Sequence, residues 1–193
     1  MKLNRKLLAH KIKSTQEVVK TGIGNYTYSR GFEKFMVGAY EISIQGSSSA
    51  YSEPRVDLER LSDYTRIELL FTDTRIDTST KEIKYNNFVL PWVKWGHRDE
   101  KGNVVYDDPR LDIGWEGDWQ IDPEDEDAWH VKTTTAGYIT WEQASGFIDF
   151  LEEQAAIEDI KEWIDRNLAR GNEHCVEMLT GVTKDNYKEN YPD

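Results

Sequence analysis

The sequence predicts an α+β protein: an N-terminal helix, a mostly antiparallel sheet of about five to six strands, and C-terminal helices. Three observations carry this. Apolar residues recur at helical spacing near the start, alternate with polar ones from Phe32 to about residue 135, and return to helical spacing after Gly137. No helical crossover separates the strand-like segments, which points to antiparallel pairing. With 193 residues, the chain reads as one domain able to bury roughly two thirds of its unfolded surface.

The first element is a basic segment, residues 1–21. A helix over Leu3–Lys20 carries Leu3, Leu7, Leu8, Ile12 and Val18 or Val19 on one stripe and several lysines elsewhere, so it is expected to dock on the body; Gly22 and Gly24 end it. Residues 32–135 form the sheet. Tyr40, Ile42 and Ile44 mark a strand, Gly46–Ala50 a flexible loop, and Thr65, Ile67, Leu69 and Phe71 a second strand. After a polar turn over Thr72–Lys81, Ile83–Leu90 reads as a third strand ended by Pro91. Val93–His97 and Val104–Tyr106 flank the charged, glycine-containing Arg98–Asn103, which suits a hairpin loop. Trp129, Val131 and Thr133 mark the last strand. In the helical segment 140–181, Thr140 with Gln143 three residues on is a capping box. Ala144, Phe147, Ile148 and Leu151, then Ile157, Ile160, Ile164 and Leu168, form a stripe towards a stop at Gly171; periodicity alone leaves open a break near Ala155. Asn172–Thr180 reads as a further short helix ended by Gly181, and 182–193 is a polar tail.

Composition narrows the function classes. Aromatics at 12% with 31% charged residues describe a folded, soluble chain. No apolar run approaches the roughly 20 residues that cross a bilayer, and the start lacks the apolar core and cleavage site of a secretion signal. A single cysteine, Cys175, excludes an intramolecular disulfide framework, so a cytoplasmic setting is expected. The net charge of −12 repels nucleic acid and attracts cationic protein surfaces; only the basic N-terminal helix has the charge for a direct nucleic-acid contact.

Motifs for catalysis are missing. The histidines form no HExxH pair, His174–Cys175 lacks a second ligand cluster, and His130–Thr133 departs from a His-x-Thr phosphodiesterase motif. Gly46–Ala50 lacks the Gly-Lys-Ser/Thr ending of a phosphate loop, and there is no Gly-x-Ser-x-Gly elbow. Asp107, Asp108, Asp112, Asp118 and Asp122 have the oxygen chemistry for Mg²⁺ or Ca²⁺ without the spacing of a calcium loop. They leave a divalent-metal nuclease or phosphodiesterase as the alternative function. No cofactor is expected, and a virion or assembly component is the third reading.

The stretch from Tyr85 to Trp129 holds five of the 7 tryptophans and the acidic run Asp122–Asp127. Trp buries a large area while ionised Asp and Glu stay in water, so the combination predicts a rigid aromatic scaffold presenting carboxylates. Asp107, Asp108, Asp112, Glu116, Asp118, Glu124, Asp125, Glu126 and Asp127 are the candidate partner-binding carboxylates. Trp115 and Trp119, next to Gly114 and Gly117, are the candidate exposed anchors.

Ile44–Ser47, Tyr51–Arg55, Asp63–Tyr64 leading to Glu68, and Tyr138–Ile139 before a helix form a pattern covering about a third of the chain. It resembles small, uncharacterised phage-encoded proteins. The resemblance implies a phage or mobile-element origin and carries no catalytic residues. With the acidic–aromatic stretch, the expected function is non-enzymatic: stoichiometric inhibition of a host defence protein or ribonucleoprotein with a basic groove, of the anti-CRISPR or antirestriction kind. Arg and Lys engage carboxylate and phosphate alike, so carboxylates can fill such a groove.

Overall fold

A computed structural model describes residues 3–15, 17–20, 28–75, 95–116 and 133–180. Their architecture is α+β. Helix α1 (Arg5–Lys13) is followed by strands β1 (Glu17–Lys20), β2 (Tyr28–Gly31), β3 (Phe35–Val37), β4 (Tyr40–Gln45), β5 (Arg66–Asp73), β6 (Gly96–Arg98), β7 (Val104–Tyr106), β8 (Trp115–Glu116) and β9 (Thr133–Thr140). Helices α2 (Trp141–Ala169) and α3 (Glu173–Thr180) follow. The main sheet has five strands in the order β3-β4-β5-β9-β8, all antiparallel; β1–β2 and β6–β7 pair separately. Where the sequence reads as one domain, contacts group into two compact units, Met1–Leu151 and Glu152–Asp193.

In the first unit the period-two pattern works as expected. Ile67, Leu69 and Phe71 of β5 are buried, as are Tyr40, Ile42 and Ile44 of β4. They join Ala144, Phe147, Ile148 and Leu151 of α2 in one core. The capping box is formed: the Thr140 amide donates to Gln143 Oε1 (2.9 Å) and the Gln143 amide to Thr140 Oγ1 (3.2 Å).

The N-terminal helix is shorter than expected. It ends at Lys13, Ser14 is extended, and Val18 and Val19 lie in a strand. Charge pattern carries no stop signal, whereas adjacent β-branched valines favour extended backbone. The helix docks through Leu7, which is buried, whereas Leu8 and Ile12 of the expected stripe are exposed; Asn4 caps the first turn through the Lys6 and Leu7 amides, and Lys11 Nζ lies 4.2 Å from the Trp141 ring centroid.

One further expectation changes. The serine-rich loop is tied to itself: Ser47 Oγ accepts from the Ala50 amide (2.9 Å), Ser52 Oγ from the Ser47 amide (3.2 Å), and Asp57 from the Ser48 amide (2.8 Å). Beside it a Cβ on Gly46 would stand 2.7 Å from Tyr64 ring atoms. Tyr64 cannot retreat, because its hydroxyl donates to the Val56 carbonyl and accepts from the Leu58 amide, both at 2.8 Å. Gly46→Ala is therefore expected to cost about 1–3 kcal/mol by overpacking, measured by urea unfolding. Ile83–Leu90, Gly22, Gly24, Gly181 and Trp129 lie outside the described residues.

In the second unit α2 continues without a break at Ala155. It stops at Gly171 (φ +75), where the Gly171 amide donates to the Leu168 carbonyl and the Asn172 amide to the Asn167 carbonyl. That paired pattern satisfies the last carbonyls of the helix. Ile164 and Val176 form a small core with Trp163 and Leu168. Ile157 and Ile160, expected on the buried stripe, are exposed. Among the described residues this core engages only the last turns of α2. No helix of the described residues is long and apolar enough to cross a membrane.

Candidate interaction surface

The described part of the acidic–aromatic stretch, residues 95–116, is built on aromatic packing. Trp95 and Trp115 are 8% and 6% exposed. Trp95 meets Phe150 edge-on at 4.9 Å, and Trp115 meets Phe147 at 5.0 Å. The Trp115 indole N–H donates to the Leu111 carbonyl at 2.7 Å, which closes the turn between them. Trp115 is thus a core residue, not an exposed anchor. Flanking glycines uncover a side chain only when nothing else packs on it, and here Phe71 and Phe147 do.

The carboxylates divide into two roles. Asp108 caps the 3-10 turn Pro109–Leu111, accepting from the Arg110 amide at 2.8 Å, and its other oxygen lies 2.7 Å from Arg110 Nη2. The bonds from Arg110 hold its carboxyl below the usual range. Arg110 in turn lies over the Phe150 ring at 5.4 Å. Asp108 is therefore part of the scaffold. Asp107 and Asp112, on either side, are exposed, and Asp107 lies 3.8 Å from the equally exposed His97 Nδ1. The hairpin loop before them is organised by Asp99, which accepts from the Lys101 amide, the Asn103 amide and the Asn103 side chain. Those bonds, the Asn103 side chain first, lower the Asp99 carboxyl. Glu116 pairs through its backbone with Thr135. Asp118, Trp119, Glu124, Asp125, Glu126 and Asp127 lie outside the described residues.

Among the described residues no group of three or more His, Cys, Asp or Glu is placed to hold a metal ion. With Asp108 engaged by Arg110, a metal centre on Asp108 and Asp112 has little geometric support.

A second cluster escaped the sequence reading as a site. Tyr51 and Tyr138, 39% and 42% exposed, stand with ring centroids 5.9 Å apart. Tyr138 has φ +53, a left-handed conformation that a bulky side chain adopts only under strain. The backbone there is clamped: its amide donates to the Tyr51 carbonyl (2.7 Å), and Arg66 Nη1 donates to its carbonyl (2.8 Å). The pairing register shifts at this point of β5, between Ile67 and Leu69. Arg55 lies 5.8 Å from the Tyr51 ring, and Glu68 accepts from the Tyr51 amide. These residues are drawn from positions far apart in sequence to one corner of the unit. Exposed Tyr and Arg on a rigid frame have the composition of a binding hot spot. Tyr138→Gly, which relieves the strained backbone, is expected to raise stability by about 1 kcal/mol in thermal unfolding; a loss of stability would contradict stored strain.

Compared with models of known families, with curated proteins and with solved structures, the chain finds no match.

Proposed function

We propose that the chain is a non-catalytic binding protein that occupies a basic groove on a host nucleic-acid-handling protein or ribonucleoprotein. This is inhibition of the anti-CRISPR or antirestriction kind. The observation that carries it is the pair Asp107 and Asp112, outward-facing on either side of a turn fixed by Asp108–Arg110 and by the Trp115–Leu111 bond. Carboxylates carried on a fixed turn meet guanidinium and ammonium groups with little cost of ordering the backbone. A net charge of −12 steers them there. Tyr51 and Tyr138 supply contact area of the kind that anchors an interface.

The test is affinity capture of the tagged chain from nuclease-treated host lysate, which removes nucleic-acid bridging. One stoichiometric, basic, nucleic-acid-handling protein released by salt is expected. Recovery of the bait alone would overturn the proposal for that host.

A further inference from the structure

The basic helix, which the proposed function does not use, walls a cleft. Lys6, His10 and Lys13 are spaced four and three apart, so they share one face of α1. That face lines a cavity of about 370 Å³ whose other wall includes Glu33, Phe35 and Met36. The volume is in the range of small-ligand sites. Two lysines, Lys6 and Lys13, line one cleft on a chain of net charge −12. Phe35 is half-buried and Met36 exposed, which gives the cleft an apolar wall.

His10 is the unusual member. Its ring lies 4.8 Å from Phe35, and Nδ1 is 3.1 Å from Ser14 Oγ. Nε2 is buried and has no hydrogen-bond partner among the described residues. Burial lowers its pKa, with Glu33 acting in the opposite direction. The ring belongs to the wall of the cavity and therefore reports on what enters it.

We infer that this cleft is a binding site for a small organic oxyanion, a carboxylate or phosphate monoester. Lys6 and Lys13 hold its charged head, and an apolar body of about one ring rests against Phe35 and Met36. Lysine serves such heads as a point charge, with no bidentate geometry to satisfy. Glu33 disfavours a ligand that is all charge and makes the apolar body necessary.

The test is an NMR titration of the full chain with phenyl phosphate, benzoate and inorganic phosphate, following the His10 ring and the Lys6 and Lys13 side chains. Either aromatic probe is expected to shift these resonances saturably, with inorganic phosphate about tenfold weaker or more for want of the ring. The Lys6→Gln/Lys13→Gln double variant, changed only at exposed helix positions, is expected to lose about tenfold or more in affinity while thermal unfolding confirms its fold. Absence of saturable shifts with both aromatic probes would overturn the inference. So would equal binding by inorganic phosphate, or unchanged affinity in a folded double variant.

Discussion

Phe71→Ala is expected to destabilise the first unit by about 3–5 kcal/mol, the cost of removing a buried aromatic ring and leaving a cavity. Phe71 is 1% exposed. Its ring meets Tyr40 at 5.2 Å, Phe147 at 5.6 Å, Trp95 at 6.2 Å and Trp115 at 6.3 Å. It therefore joins the sheet, α2 and the two tryptophans Trp95 and Trp115. Because whole domains are stable by only about 5–15 kcal/mol, the loss brings the unit near unfolding at ambient temperature. Urea unfolding followed by tryptophan fluorescence measures it. Phe71→Leu, which keeps most of the volume, is expected to cost about half as much or less. A loss under about 1 kcal/mol for Phe71→Ala would mean that the aromatic cluster is not the frame of the surface.

Reversing the candidate partner-binding carboxylates is expected to have the opposite signature, with the fold intact and binding gone. In a variant with Asp107, Asp112, Glu124, Asp125, Glu126 and Asp127 all changed to Lys, affinity for the captured partner is expected to fall by about a hundredfold or more. Asp107 and Asp112 are exposed, so each reversal is expected to cost within about 0.5 kcal/mol of stability. Asp108 is left alone. Its side chain caps a turn and pairs with Arg110, and changing it would mix folding with binding. Retained binding at moderate salt would reduce the acidic run to a solvated face.

Much of the fold is legible because its signals are local. The alternation in β5, the Thr140–Gln143 box and the glycine stop at Gly171 each depend on residues a few positions apart, and each forms as the spacing predicts. What the sequence hides depends on distant partners. Trp115 is buried because Phe147, on another element, packs against it. Ile157 and Ile160 are exposed because α3 is short, although their spacing fits a buried face. The serine loop looked unstructured by composition, yet Ser47 and Ser52 bond within it. Of the proposed site, the division between outward Asp107 and Asp112 and inward Asp108 needed the Arg110 geometry. Tyr138 was visible only as the start of a helix signal; its strained backbone comes from the register shift in β5 and the Tyr51 carbonyl, and neither has a sequence signature.

The measurement that bears most directly on the central claim is the dissociation constant of the captured complex across a salt series, for the wild-type chain and the charge-reversed variant. If carboxylates on a fixed aromatic frame engage a basic groove, wild-type affinity falls steeply with salt, because exposed charges are screened over about 8–10 Å. The variant then binds weakly at every concentration. A wild-type affinity that does not change with salt, equalled by the variant, would contradict the account.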